Sequence, residues 1–472
     1  MKTKSYLLSV FFILLTVIGC QTDDTVGTQP FVAAFGNPSY DYSKIENEQL
    51  IKIVFSDKTQ QAGSVVIKVS AANAEYGVDF TTFPSAESGS LTLSFEAGIT
   101  EKTFTLKNLV FPFVTGDDDK SLLFEVTAIN YPLASNIQGY TKSLVSFQRS
   151  LGTVTQPGVG GPNQGDQVYV DLSTETVTKV RRDSWDLGFY GGEDFRVVLN
   201  GSVYMAAKEL ETTDIDAVTQ SSVQQYQAQV AVGTFDPTNI NYIDAPNGDI
   251  TQTAISQISE TAGDNKVYLV NLGYTVGTTI PAAGSVAIAG DARGWKKIRI
   301  LRSGSDYVLQ YADLTSATHQ EITISKNEAY NFTFFSFNTQ SVVNVEPEKN
   351  KWDLNFTVFT NEIVGSGSYG YSDFVLNNLK AGVKVYRVTN SGGTQGINFN
   401  TYMLKDVQES SFVNDQRVIG AEWRDVFSGS AFTDRFYVIK DVDNNYYKIR
   451  MLAFLDESGV RGYPKFEYKL LQ

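Results

Sequence analysis

An all-β chain of several domains is predicted by three features of the sequence. Aromatic residues are abundant, with 25 Tyr and 30 Phe among 472 residues, alongside 38 Gly and only 12 Pro. Such side chains pack well on pleated surfaces. Short runs of alternating apolar and polar residues recur along the chain, separated by polar turns, which is the pattern of half-buried strands. Finally, the strand-like core W-D-L-x-F occurs twice, as Trp185–Phe189 and Trp352–Phe356. The length suits roughly two to four domains. The net charge of −14, with no basic stripe, argues against binding to nucleic acid.

The N-terminus reads as an address. Lys2 and Lys4 precede an apolar run, Tyr6–Ile18, of 13 residues, which is short for a membrane span. It ends in Val17-Ile18-Gly19-Cys20, which resembles a bacterial lipobox and implies cleavage before Cys20 and acylation of its sulfur. Cys20 is the only cysteine, so the mature protein has no disulfide, and removal of residues 1–19 takes the charge to −16. The QTDD that follows resembles the surface-export signal of Bacteroidetes lipoproteins, or is a plain polar tether over residues 20–30. The predicted location is the outer membrane, exposed at the cell surface.

Residues 31–150 carry strands such as IKIVFS (51–56), SVVIKVS (64–70), GSLTLSF (89–95) and KTFTLKN (102–108), a spacing that predicts a β-sandwich. Tyr76-Gly77-Val78-Asp79-Phe80, the Gly89–Leu93 strand and Phe95-Glu96-Ala97-Gly98-Ile99-Thr100-Glu101-Lys102 resemble the Calx-β family. Some members of that family bind calcium. Asp117, Asp118 and Asp119, in GDDDKSLLFEV, are hard oxygen ligands of the right type; the alternative is an acidic hairpin turn. The stretch 151–166, centred on QPGVGGPNQGDQ, reads as a Gly/Pro linker.

Beyond it the W-D-L-x-F strand recurs because a whole domain recurs, over 167–320 and 321–472. In the first copy KVYLVNL (266–272), WKKIRIL (295–301) and DYVLQYADL (306–314) follow; in the second RFYVIKD (435–441), YYKIRML (446–452) and KFEYKLL (465–471) follow. Trp185 to Lys266 spans 81 residues and Trp352 to Arg435 spans 83. Lead-in segments VYVDLSTETV (168–177) and FFSFNTQSVV (334–343) precede the two W-D strands. This period marks duplicated domains rather than a solenoid. Trp185 and Trp352 share a strand face with Leu and Phe, which fits a core role and leaves a ligand-stacking role open. Asp186 and Asp353 point the other way, towards backbone amides of the preceding turn.

The lead-in strand, the W-D-x-x-F strand, the Thr360-Asn361…Gly365-Ser366-Gly367-Ser368-Tyr369-Gly370 segment and the closing YYKIRMLAFLDESGVRGYPKFEYKLL (446–471) resemble the HmuY family of all-β surface lipoproteins of Bacteroidetes. The full architecture is then a Calx-β-like sandwich followed by two tandem HmuY-like domains. The resemblance implies capture of haem or porphyrin for uptake and delivery to an outer-membrane receptor. The haem-binding branch of the family uses paired axial histidines, or methionine in some relatives. This chain has one histidine, His319, so a bis-histidine site is excluded by count. Tyr190, Met205 and Met403 are the remaining candidate ligand-binding residues, since Tyr and Met also ligate haem iron.

No catalytic motif competes. GSGSYG (365–370) satisfies G-x-G-x-x-G but precedes no helix, and G-x-S-x-G, H-E-x-x-H and C-x-x-C are absent. The acidic residues single out no hydrolase pair, and no enzyme is predicted. The tyrosines of NYID (241–244) and NNYYK (444–448) are strand aromatics or stacking surfaces for a flat ligand. The alternative to ligand capture is a non-enzymatic adhesive or structural surface protein that binds protein or glycan.

Overall fold

The computed structural model describes residues 30–147, 149–390 and 397–472. Cys20 and the apolar run before it lie outside the described residues. The chain divides into two compact units, one built mainly from residues before Val145 and the other mainly from Ser146 onward.

The first unit is a β-sandwich. One sheet runs through Phe80–Phe83, Glu101–Asn108, Glu48–Phe55, Phe31–Phe35 and Ser135–Ile137, and the other includes Ser121–Asn130, Gly63–Ala72 and Ser90–Phe95. Burial alternates along the strands, so Ile51, Ile53, Leu91, Leu93, Phe104 and Leu106 face a shared core. The Y-G-x-D-F motif builds a turn: the Tyr76 hydroxyl accepts from the Thr82 and Ala86 amides, and Gly77 takes a φ of 85°.

The second unit contains both copies of the repeat. Each copy has a large antiparallel sheet of its own. In the first it is Ala206–Glu209, Val267–Asn271, Trp295–Ser303, Asp306–Asp313 and Gln320–Ile324; in the second it is Arg461–Leu470, Tyr446–Leu455, Arg435–Lys440 and Lys384–Thr389, edged by Val154–Thr155.

The lead-in strands do not stay with their own copies. The first, Asp166–Asp171, pairs antiparallel with the second W-D strand, Leu354–Ile363, placing Val168 opposite Phe356. The second lead-in strand, Phe332–Ser336, pairs antiparallel with the first W-D strand, Leu187–Tyr190, placing Phe335 opposite Leu187. Strand alternation then sorts the side chains. Val168, Val170 and Leu172 enter the core of the second copy, and Phe335 and Phe337 enter that of the first. Tyr169 and Phe334 point oppositely, into an aromatic seam with Trp185, Val345 and Trp352. The two copies are therefore joined by reciprocal strand exchange.

The stretch 151–166, expected as a linker, is packed against the second copy. Val154 and Thr155 pair with Glu467 and Phe466, and Val159 is buried in that copy's core. Close approach explains its glycines: a Cβ on Gly152 would lie 2.2 Å from the Tyr468 carbonyl oxygen. GSGSYG forms the tight turn and first strand residues between Leu354–Ile363 and Gly367–Asn377.

The exchange makes a prediction. A protease site inserted between Asn327 and Glu328, both exposed, leaves two fragments whose sheets remain interlocked. After cleavage the fragments co-elute on native gel filtration. Their elution as separate species would refute the strand exchange.

Candidate functional site

The W-D pair fastens each exchanged strand. The Asp186 amide donates to the Phe335 carbonyl at 2.8 Å, and its Oδ2 accepts from the Phe337 amide at 2.6 Å. In the other copy the Asp353 amide donates to the Val170 carbonyl at 2.8 Å, and its Oδ2 accepts from the Leu172 amide at 2.8 Å. Asp186 also pairs with Arg293 at 2.6 Å. Burial still raises the Asp186 carboxyl above the ordinary value, against the pull of Arg293. Burial pushes Asp353 well above it, and the acids Asp441, Asp171 and Asp443 add to the effect.

Behind each aspartate the indole packs edge-on against an aromatic ring of the other copy's lead-in strand. Trp352 meets Tyr169 with centroids 4.9 Å apart, and Trp185 meets Phe334 at 4.7 Å. Two asparagines hold the tryptophan peptides. Asn200 Nδ2 donates to the carbonyls of Arg182 and Trp185, and Asn378 Nδ2 to those of Lys349 and Trp352.

A cavity of about 170 Å³ lies at this seam, with walls from both copies. Trp185, Trp352, Tyr169, Phe332 and Phe334 supply rings, and Met205 supplies a thioether. Asn355, Asn377, Asp244, Glu346 and Lys380 supply polar groups. Glu346 is buried, and its Oε1 accepts from the Phe332 amide at 2.8 Å. Burial pushes its carboxyl up to about 8. Asp244 accepts from the Leu199 and Ala254 amides at 2.7 and 2.9 Å, and burial raises it to about 6 against the pull of Lys380. Burial lowers Lys380 to about 8, and its ammonium donates to the Gly248 carbonyl. Four polar atoms of the wall are buried without a hydrogen-bond partner among the described residues: Nε1 of Trp185 and Trp352, and Oδ1 of Asn355 and Asn377. An unsatisfied buried polar atom typically costs about 1–3 kcal/mol. Trp185, Trp352 and Asn355, which lies opposite Tyr169, stand on the seam side, while Asn377, opposite Leu354, faces the second copy's core. Three such atoms therefore mark the seam as a surface shaped for a polar occupant.

Of the candidates Tyr190, Met205 and Met403, only Met205 reaches this cavity. Met205 is 1% exposed and also belongs to the first copy's core. Tyr190 lies at the end of the first W-D strand, its ring 5.7 Å from Phe332. Met403 is 47% exposed, before the short turn Leu404–Asp406. His319 faces Asp216 at 3.0 Å. In the acidic turn, Asp117 Oδ2 accepts from the Val114 amide and Asp118 Oδ1 from the Gly116 amide, while Asp117 also pairs with Lys120 at 3.7 Å. Among the described residues no three His, Cys, Asp or Glu side chains are arranged to hold a metal ion.

The duplicated pattern is matched by a family model described as HmuY protein, once over residues 163–324 and again over 328–468. The chain belongs to the HmuY family. No curated protein matches it. Among solved structures, the apo-form Calx CBD1 domain is similar at 15% identity and a TM-score of 0.21, over 25% of this chain and 98% of that one. A Bacteroides fragilis structure, provisionally described as a lipoprotein, is similar at 8% identity and a TM-score of 0.15, over 68% of this chain and 90% of that one. In this HmuY-family chain the two matched stretches meet through exchanged strands, and the cavity lies where they cross. Sequence reasoning missed Glu346, Asp244, Lys380, Asn355 and Asn377; Asn355 is the variable position of the second W-D-L-x-F core and Asp244 closes NYID, and neither carries a signal of its own.

The electrostatics make a prediction. Glu346 keeps its proton in the folded state where the unfolded chain releases it near 4.5, so its contribution to stability is full below about 4.5 and lost as pH rises through about 8. Glu346→Gln removes that loss. In urea denaturation the variant gains on the parent between pH 5 and pH 9, by a few kcal/mol. Equal differences at both pH values would contradict the assignment.

Proposed function

We propose that this protein is a lipid-anchored, cell-surface member of the HmuY family that captures a small ligand at the seam between its two copies for uptake. The observation that carries the reading is the set of unpartnered polar atoms on seam-side lining residues, Nε1 of Trp185 and Trp352 and Oδ1 of Asn355. The anchor rests on Val17-Ile18-Gly19-Cys20. No residue set in the cavity suggests bond making or breaking, so the reading is binding rather than catalysis.

Haem, the ligand the family resemblance implies, fits this cavity poorly. About 170 Å³ is below the roughly 300–1,000 Å³ typical of pockets for drug-sized ligands, and a porphyrin is larger still than most such ligands. Of the side chains able to ligate haem iron, Met205 and Tyr169 reach the wall. Met205 is held in the core, and the Tyr169 hydroxyl already accepts from Gln167 Nε2 at 3.0 Å. The proposed ligand is accordingly smaller than a porphyrin.

Two experiments test this reading. Cells fed an alkyne fatty acid label the parent protein, and Cys20→Ala loses both the label and the membrane fraction; equal labelling would remove the anchor. The soluble mature protein, stripped of bound molecules, gains several degrees in Tm with a low-molecular-mass cell extract and changes its tryptophan fluorescence. Haemin produces no Soret shift at stoichiometric concentration. A stoichiometric Soret shift would restore haem as the ligand, and no response to any extract fraction would end the capture reading.

A further inference from the structure

The seam cavity has a chemical preference. Six aromatic rings, Tyr169, Trp185, Phe332, Phe334, Trp352 and Phe359, line it, and ring faces carry negative potential. The carboxyl group of Glu346 also lines it, fixed by the Phe332 amide. The side-chain oxygen of Asn355, opposite Tyr169 on the seam side, has no donor. Asn355 is more than nine-tenths buried, so this oxygen has little access to solvent. Against Glu346, Asp244 and Asp249, the lining offers one cation, Lys380, which already donates to the Gly248 carbonyl. Rings, the free acceptor and the surplus of acidic groups all favour positive charge over an anion.

Resting on the capture reading above, we propose that the ligand is a small organic ammonium compound, seated among these aromatic rings with its charge towards Glu346 and Asn355. The indole N–H groups of Trp185 and Trp352 are donors without acceptors. They suit an oxygen elsewhere on the same ligand, as in an amino alcohol or a betaine. An aromatic enclosure with a carboxylate attracts alkylated ammonium strongly because the cation loses little hydration on entry. The cavity volume limits the ligand to a compact molecule.

Protonation gives the proposal a second signature. Glu346 is held up near 8 by burial, so at neutral pH it is mostly protonated in the ligand-free protein. A bound cation favours its ionised form, and binding at pH 7 releases a proton. The other titratable groups about the cavity are Asp244, Asp249, Lys380 and Tyr169, and Lys326 lines a neighbouring hollow with Glu346 but donates to the Gly192, Glu193 and Asp194 carbonyls. Deprotonation of Asp244 near 6 and of Lys380 near 8 would also favour a cation. The glutamine variant separates the share of Glu346 from theirs.

The test is isothermal titration of the soluble mature protein with tetramethylammonium, choline, tert-butanol and butyrate. The two ammonium compounds bind at least about tenfold more tightly than tert-butanol or butyrate. Their heats at pH 7 depend on the buffer's ionisation enthalpy, showing proton release. Glu346→Gln weakens ammonium binding by about tenfold or more and lowers the released proton count. Proton release by the parent protein tests the idea even if the variant does not fold. Tert-butanol or butyrate binding as well as the ammonium compounds overturns the ligand class and leaves capture standing. A response to cell extract without any ammonium binding has the same meaning. If neither extract nor any probe binds, capture and ligand class fall together.

Discussion

The second unit depends on reciprocal pairing of backbone edges. Each W-D strand needs a neighbour to satisfy its outward amides and carbonyls, and the lead-in strand of the opposite copy provides it. The aspartate after each tryptophan extends that pairing, since its carboxylate accepts the amide just beyond the incoming strand. The two aspartates settle their burial differently. Asp186 sits against Arg293 and balances a desolvated charge with an opposite one. Asp353 has acids about it and is held well above the ordinary carboxyl range. The aspartate is thus held by an ion pair and a backbone amide in the first copy and by a backbone amide in the second.

The hollow at the seam follows from the same crossing. Tyr169 and Phe334 arrive on strands of opposite ownership and stand over Trp352 and Trp185. The enclosure is not symmetric, although its scaffold is. Asn355 stands in the second copy where Gly188 stands in the first. The polar wall therefore belongs mainly to one half, which favours a single ligand over a matched pair.

Much of this fold was legible in the sequence. The alternation in KVYLVNL, WKKIRIL and YYKIRML gave strands close to those observed, and the spacing of the two W-D cores revealed the duplication. Partner choice was not legible, because a period of two reports which face a residue takes and not which strand lies beside it. The stretch 151–166 misled for a related reason: Gly152 permits close packing on Tyr468, but by composition it looks like a hinge. The site was the least readable part. Met205 does reach the cavity, yet Glu346, Asp244 and Asn377 come from distant segments that only the crossing brings together.

Interleaved ownership also constrains how such a chain is made. Leaving the ribosome or the export channel from its N-terminus, the first copy has all of its own large sheet before the strand that completes its W-D edge has emerged. That edge stays open until Phe332–Ser336 appears, and Asp166–Asp171 waits longer, for Leu354–Ile363. Contacts between parts so far apart in the chain form late and slowly. Loss of either half by deletion would strand the other with an unfilled edge, so the duplication is one that evolution cannot easily reverse.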